Sequence, residues 1–211
     1  WHSSPPLSLA QAQGPSCSDQ VVIWRACKPA SPFKDSLSVD LSTMGEEEGD
    51  WNVTLEEWLL AEGQCVAGAL ASVTDGVMYA AAPVAAEEGW SLLFKESYKQ
   101  MLAQEDGTEK EETIDESAIL KTVAEGKRPA QGLWIAGEKY TLTRQEEDDI
   151  DGSPIKVAVA GRPKKGVVIY ITAIGTVMIG MFDETKNASQ TMGNCRKCVH
   201  AFCEYMMSIG F

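Results

Sequence analysis

Between residues 132 and 184 the chain reads GLWIAGEKYTLTRQ, then PIKVAVAGRPKKG, then VVIYITAIGTVMIGMFDE. β-Branched residues fill these stretches, and the turn signals Asp151-Gly152 and Gly175 punctuate them. Such residues suit a pleated surface better than a helix. Asp-Gly supplies the positive-φ positions of a tight hairpin. The gaps are too short for crossover connections, so neighbouring stretches must pair antiparallel. A meander of antiparallel strands is therefore expected at the centre of the fold, and the rest of the chain must pack on it.

Helices are expected at both ends of that region. Asp50 is placed to cap a helix through Leu60, in which Trp51, Leu55, Trp58 and Leu59 share one face. Trp58 is accordingly assigned to the core, Glu56, Glu57 and Glu62 lie off that face, and Gly63 ends the helix. Two small-residue runs flanking Thr74-Asp75-Gly76 read as a hairpin packed closely under another element. The stretch GWSLLFKESYKQMLAQEDGTEKEET reads as a long, polar hairpin turning at Gln104-Glu105-Asp106-Gly107, with a helix over Lys99 to Ala103 as the alternative, and Asp115 caps a helix with Ile119, Leu120 and Val123 on one face.

The chain closes with CRKCVHAFCEYMMSIGF. Cys195, Cys198, Val199, Phe202, Cys203 and Met206 recur at helical spacing, with Gly193-Asn194 as break and N-cap. Cysteine serves here as a small hydrophobe. A zinc site would need His200 as its fourth ligand, and five residues of helix turn His200 about 140° away from Cys195. A redox CxxC remains as an alternative, because Cys195 falls at a helix N-terminus, where a thiolate is favoured. The chain carries no GxSxG, P-loop or HExxH pattern, and His200 is the one histidine of the domain. Glu46-Glu47-Glu48 and Glu146 to Asp149 read as solvated runs. No enzyme, metal or cofactor is indicated.

The formal net charge is −13, which disfavours non-specific nucleic-acid binding. No stretch approaches the roughly 18 apolar residues of a membrane helix. Residues 1–43 hold five of the nine prolines and equal numbers of acidic and basic residues. They are expected to be a disordered tail or a gene-model extension, with the domain spanning 44–211 and starting at Met44. Free thiols and a reducing compartment follow from a domain large enough to need no disulfide.

The Asp50-Trp51 start, DGVMYAAA, GLWIAGEKYTLTR, MFDETKNASQTMGN and FCEYMMSIGF occur in an order and spacing that resembles profilin, in its divergent apicomplexan branch. The resemblance runs from about Trp51 to Phe211. It implies an α+β fold: a central antiparallel sheet with the first and last helices on one face and further helices on the other. Residues 94–116 would be an extra β-hairpin arm. It also implies a cytoplasmic, cytoskeleton-associated monomer that binds monomeric actin and the proline-rich segments of formin-type partners. By position, the proline-rich ligand would meet Trp51, Tyr79, Tyr205, Met206 and Phe211. Thr54 stands where conventional members have a tyrosine, and Tyr205 where they have a histidine. Actin would meet Lys139, Thr141, Arg144, Arg162, Lys164, Gly193, Arg196 and Lys197, and Lys165 stands where the family often has glycine. Phosphoinositide binding gains little support from so acidic a chain. The rival class is a small sensory or scaffold domain on a similar sheet, which would need an internal pocket.

Overall fold

A computed structural model describes residues 50–84, 88–103 and 107–211. The expected tail at 1–43, the run Glu46-Glu47-Glu48 and Gln104-Glu105-Asp106 of the expected hairpin turn lie outside them. The first helix, α1, is α-helical over Trp51–Leu55 and runs on as a π-helical segment, Glu56–Leu60. There follow β1 (Ala67–Ser72), β2 (Met78–Ala82), α2 (Glu88–Leu93), β3 (Tyr98–Ala103), β4 (Glu109–Ile114) and α3 (Glu116–Ala124). The chain continues through β5 (Leu133–Ile135), β6 (Glu138–Ile150), β7 (Ser153–Arg162), β8 (Lys165–Thr172), β9 (Thr176–Asp183) and α4 (Met192–Ser208).

The meander forms as expected. β5 to β9 pair each with the next, antiparallel, and β1 and β2 join beyond β9 in a seven-stranded sheet of order β2-β1-β9-β8-β7-β6-β5. Asp151 and Gly152 both adopt positive φ in the β6–β7 turn, as a two-residue hairpin requires. β3 and β4 form a separate two-stranded hairpin, the arm, from Tyr98↔Ile114 to Ala103↔Glu109. The short helix α2 just before it carries no sequence signal strong enough to separate it from the arm.

Both faces of the sheet are covered, and every residue of β9 is buried. One face takes α2 and α3, whose Leu93, Ile119, Leu120 and Val123 meet Val167, Ile169, Val177 and Ile179. The other takes α1 and α4, whose Leu55, Leu59, Val199, Phe202 and Met206 meet Leu70, Val168, Tyr170 and Met178. The alanines of β1 and β2 lie buried under this packing, with Ala69 and Ala81 on one side and Ala80 and Ala82 on the other. Their small size serves close contact rather than a cavity.

Glycine sets how deeply the terminal helices sit. Gly68 and Gly180 are cross-strand partners at the middle of the sheet. A Cβ on Gly68 would fall inside Leu59 Cδ1, and one on Gly180 inside Val199 Cγ2. The two bare positions form a depression that receives α1 through Leu59 and α4 through Val199. Asp50 caps α1 as expected, its carboxylate accepting from the Asn52 amide at 3.0 Å. The start of α4 differs from expectation: Thr191 is the N-cap, its hydroxyl accepting from the Asn194 amide at 3.2 Å. Gly193 and Asn194 lie inside the first turn. A threonine hydroxyl one residue before the helix satisfies the orphan amide, so the glycine is not needed as a break.

Candidate functional site

α1 and α4 lie side by side, and aromatic rings bridge them at two places. Trp51, at the start of α1, meets Phe211, beyond the end of α4, edge-on with centroids 4.9 Å apart. Trp58 stacks on Tyr205 of α4, with centroids 4.7 Å apart and planes 19° from parallel. Phe211 keeps 37% of its surface exposed, and Trp51, Trp58 and Tyr205 are half-buried. Each ring therefore has an edge or face left for a ligand.

The five residues assigned to a proline-rich ligand fare unequally. Trp51, Phe211 and Tyr205 reach the seam between the helices. Tyr79 comes from β2, the strand on which α1 rests through Asn52, whose side-chain oxygen accepts from the Ala81 amide at 2.8 Å. Leu70 pairs with Ala80 and Ala71 with Met78, so Tyr79 is the extra residue of a bulge, and it is 45% exposed. Partial burial pushes its phenol pKa up, and a hydrogen bond with Thr176 partly offsets this. Met206 is a correction: it is fully buried in the core beneath α4 and offers no surface. It follows Tyr205 directly, and adjacent residues on a helix point about 100° apart. Trp58 packs against the core as expected, with its ring centroid 6.1 Å from that of buried Phe202, but it stays half-buried where it stacks on Tyr205.

Three of the eight residues assigned to actin, Arg144, Arg162 and Arg196, sit in two clusters around carboxylates. Arg196, from α4, lies 2.6 Å from Glu146 and 3.6 Å from Asp148 on β6, and Arg144 lies 3.6 Å from Glu146. Arg162, at the end of β7, lies 2.7 Å from Glu138, with Lys165 3.8 Å from Glu138 and 3.3 Å from Asp183. Burial opposes the Asp183 charge, but Thr185 and Lys165 outweigh it and hold its carboxyl below the usual range. The solvated-run reading of Glu146 to Asp149 is thus corrected for Glu146, which is half-buried beside Arg196, while Glu147, Asp148 and Asp149 remain exposed.

Lys139 reaches back towards Trp134, its ammonium 5.9 Å from the ring centroid, and Thr141 faces Gly161 across the β6–β7 pair. Gly193 is exposed, as is Lys197. Lys165 is an ordinary strand residue. The left-handed conformation of that hairpin falls on Lys164, at φ 64°.

The four cysteines of the domain are free thiols. Cys65 donates to the Cys195 sulfur at 3.4 Å, deep between α4 and the sheet, and Cys198 donates to Gln64 Oε1 at 3.0 Å. The Cys195 contact pushes the Cys65 thiol pKa up, and contact with Cys65 does the same to Cys198. Burial and the Glu204 charge push Cys203 up to about 12. Raised values mean that Cys65, Cys198 and Cys203 are protonated thiols and poor nucleophiles. Among the described residues, no three His, Cys, Asp or Glu side chains are placed to hold a metal ion. His200 instead lies edge-on to Tyr170 and 3.6 Å from Glu204.

Glu116 is a positioning residue that the sequence did not single out. It opens α3, is only 3% exposed, and accepts from the Lys95 amide at 3.1 Å, Ala136 at 2.9 Å and Gly137 at 2.7 Å. The Tyr98 hydroxyl joins at 3.4 Å. One carboxylate thereby ties the root of the arm to the β5–β6 turn, just before Glu138 and Lys139. The faint signal was an acidic residue directly after a helix cap.

Comparison with known proteins places this architecture. The profilin family model matches residues 49–211. The chain is 33% identical over 165 residues to a profilin of Plasmodium falciparum (isolate 3D7), a match covering 75% of this chain and 95% of that one. It is 30% identical over 167 residues to a profilin of Plasmodium berghei, covering 76% and 95%. Among solved structures it is similar to Acanthamoeba castellanii profilin IA, with TM-score 0.48, 15% identity, and coverage of 76% of this chain and 99% of that one.

Proposed function

The chain belongs to the profilin family, and from that premise we propose that it binds monomeric actin and proline-rich segments and so regulates actin polymerisation in the cytoplasm. It acts by binding rather than by catalysis. The observation that carries the proline-rich half is the Trp51–Phe211 contact, which sets two partly exposed rings from opposite ends of the domain at one seam. A polyproline II ligand is stiff before it binds and loses little entropy. Its prolines pack on flat rings, and its bare carbonyls can take the indole N–H.

The actin half rests on position in the family and on the Arg144, Arg162, Lys164, Arg196 and Lys197 side chains along β6, the β7–β8 hairpin and the start of α4. Their internal ion pairs temper the reading that free positive charge steers actin in. Several of these cations must exchange a carboxylate of their own chain for one of the partner's. Association is then set by local fit more than by long-range attraction.

Paired pull-downs with a long oligoproline and with monomeric actin test this. Trp51→Ala is expected to weaken oligoproline binding about thirtyfold, the loss of an aromatic anchor worth about 2 kcal/mol, while actin binding survives. A folded Trp51→Ala protein that holds oligoproline as well as wild type would remove the seam from this role.

A further inference from the structure

Arg162 and Lys165 pair across the β7–β8 turn and share two carboxylates of unequal depth. Asp183 is 4% exposed and lies 3.3 Å from Lys165. Glu138 is the outer one, its side chain 40% exposed, 2.7 Å from Arg162 and 3.8 Å from Lys165. The cluster can keep its shape without the outer charge. Lys165 retains Asp183, and Arg162 lies 6.0 Å from the centroid of the Tyr140 ring, whose face also attracts a cation. Glu138 itself is held firmly. It follows Ala136 and Gly137, whose amides Glu116 fixes, and it accepts from the Tyr140 hydroxyl at 3.2 Å.

We propose that Glu138 holds down the affinity for actin, as the internal carboxylate that a carboxylate of actin must displace from Arg162. The inference rests on the actin binding proposed above and gives that surface a residue that works against it. An acidic residue here acts twice in the same direction. It repels an approaching acidic group, and it occupies the guanidinium that would receive that group. Removing its charge therefore strengthens binding, whereas loss of an ordinary interface residue weakens it.

Exposure permits the exchange. The Arg162 side chain is 37% exposed, so a partner's carboxylate can reach the guanidinium. An ion pair this open contributes little to folding. To a partner it matters more, because a guanidinium recognises a carboxylate through two parallel donors, and Glu138 already engages one of its nitrogens. Asp183 does not compete in this way. It is buried, and its carboxylate is taken up by Lys165 and by the amide and hydroxyl of Thr185.

The test is a titration of the full chain with monomeric actin at low and high salt. Wild type, Glu138→Gln, Glu184→Gln, Arg162→Met and the double variant Glu138→Gln with Arg162→Met are compared. Glutamine keeps an acceptor for the Tyr140 hydroxyl and removes only the charge. Glu184 controls for charge alone. It is exposed beside the same hairpin, its amide donating to the Lys164 carbonyl at 2.8 Å, and among the described residues it pairs with neither Arg162 nor Lys165. Glu138→Gln should bind actin about three- to fivefold tighter, the scale of a half-exposed ion pair, with a steeper salt dependence. Glu184→Gln should gain less than about twofold. The gain from Glu138→Gln should vanish when Arg162→Met is also present. If Glu138→Gln fails to fold, Glu138→Asp, which draws the carboxylate back by one methylene, should show part of the gain. A folded variant at position 138 that binds as wild type does or more weakly, a gain matched by Glu184→Gln, or a gain that persists without Arg162 overturns the role of Glu138 alone. A wild type that binds no actin overturns the function proposed and this role with it.

Discussion

Glu116 shows how much one side chain can settle. Ala136 has φ 51° and Gly137 φ 77°, a left-handed pair that costs an alanine about 1–2 kcal/mol. Both amides point at the Glu116 carboxylate, which offsets that strain and fixes the turn leading into β6. Glu116→Gln should cost about 2 kcal/mol in chemical denaturation, the scale of charge-assisted hydrogen bonds. Hydrogen exchange should speed up first at the Lys95, Ala136 and Gly137 amides. Unchanged protection there would show that the carboxylate is not the clasp. The thiols make a second residue-scale prediction. Because the Cys65, Cys198 and Cys203 values are raised, little thiolate exists near neutral pH, and alkylation of the folded protein at pH 8 should be slow until denaturant is added. A folded pKa above the unfolded one gives stability that is whole below about 8.5 and lost as pH climbs towards the folded values. Rapid labelling of Cys65 in the native state would contradict this.

At the scale of elements, the Gly68–Gly180 pair decides how close α1 and α4 approach the sheet. Gly180→Ala should destabilise by about 1–3 kcal/mol through overpacking against Val199 and the Cys195 sulfur. Exposed Gly193, with nothing near its Cβ position, should tolerate alanine. Thermal melts of the two variants check the contrast, and equal effects would deny the depression its role. This scale also shows what could be read in advance. The strands of the meander, their Asp-Gly turn, both caps by aspartate and the face of α3 were legible because each rests on local chemistry and a regular period. Met206 was misplaced because residues adjacent on a helix face different ways. Glu116 and the pairing of Arg196 with Glu146 were invisible because their partners are remote in sequence. No local pattern records a contact that the sheet creates.

At the scale of the whole molecule, the arginines assigned to actin sit in mixed clusters with carboxylates. Arg144, Arg162 and Arg196 each have a carboxylate of their own chain within 3.6 Å. Reversing Arg162 and Lys197 together should weaken actin binding several-fold and flatten its salt dependence without loss of fold. Sedimentation at low and high salt would test this, and an unchanged slope and affinity would mean that actin docks elsewhere. The juxtaposition of Trp51 with Phe211 also bears on time. A nascent chain acquires Trp51 early but must wait for Phe211, 160 residues later, before the seam exists. α4, which roofs one face of the sheet through Cys195, Val199, Phe202 and Met206, follows β1 to β9 in the chain. Until it leaves the ribosome, β8 and β9 present one uncovered apolar side. The sheet is therefore made before the helix that covers this face, and a chain cut before α4 would leave that side bare and lack the Phe211 half of the seam.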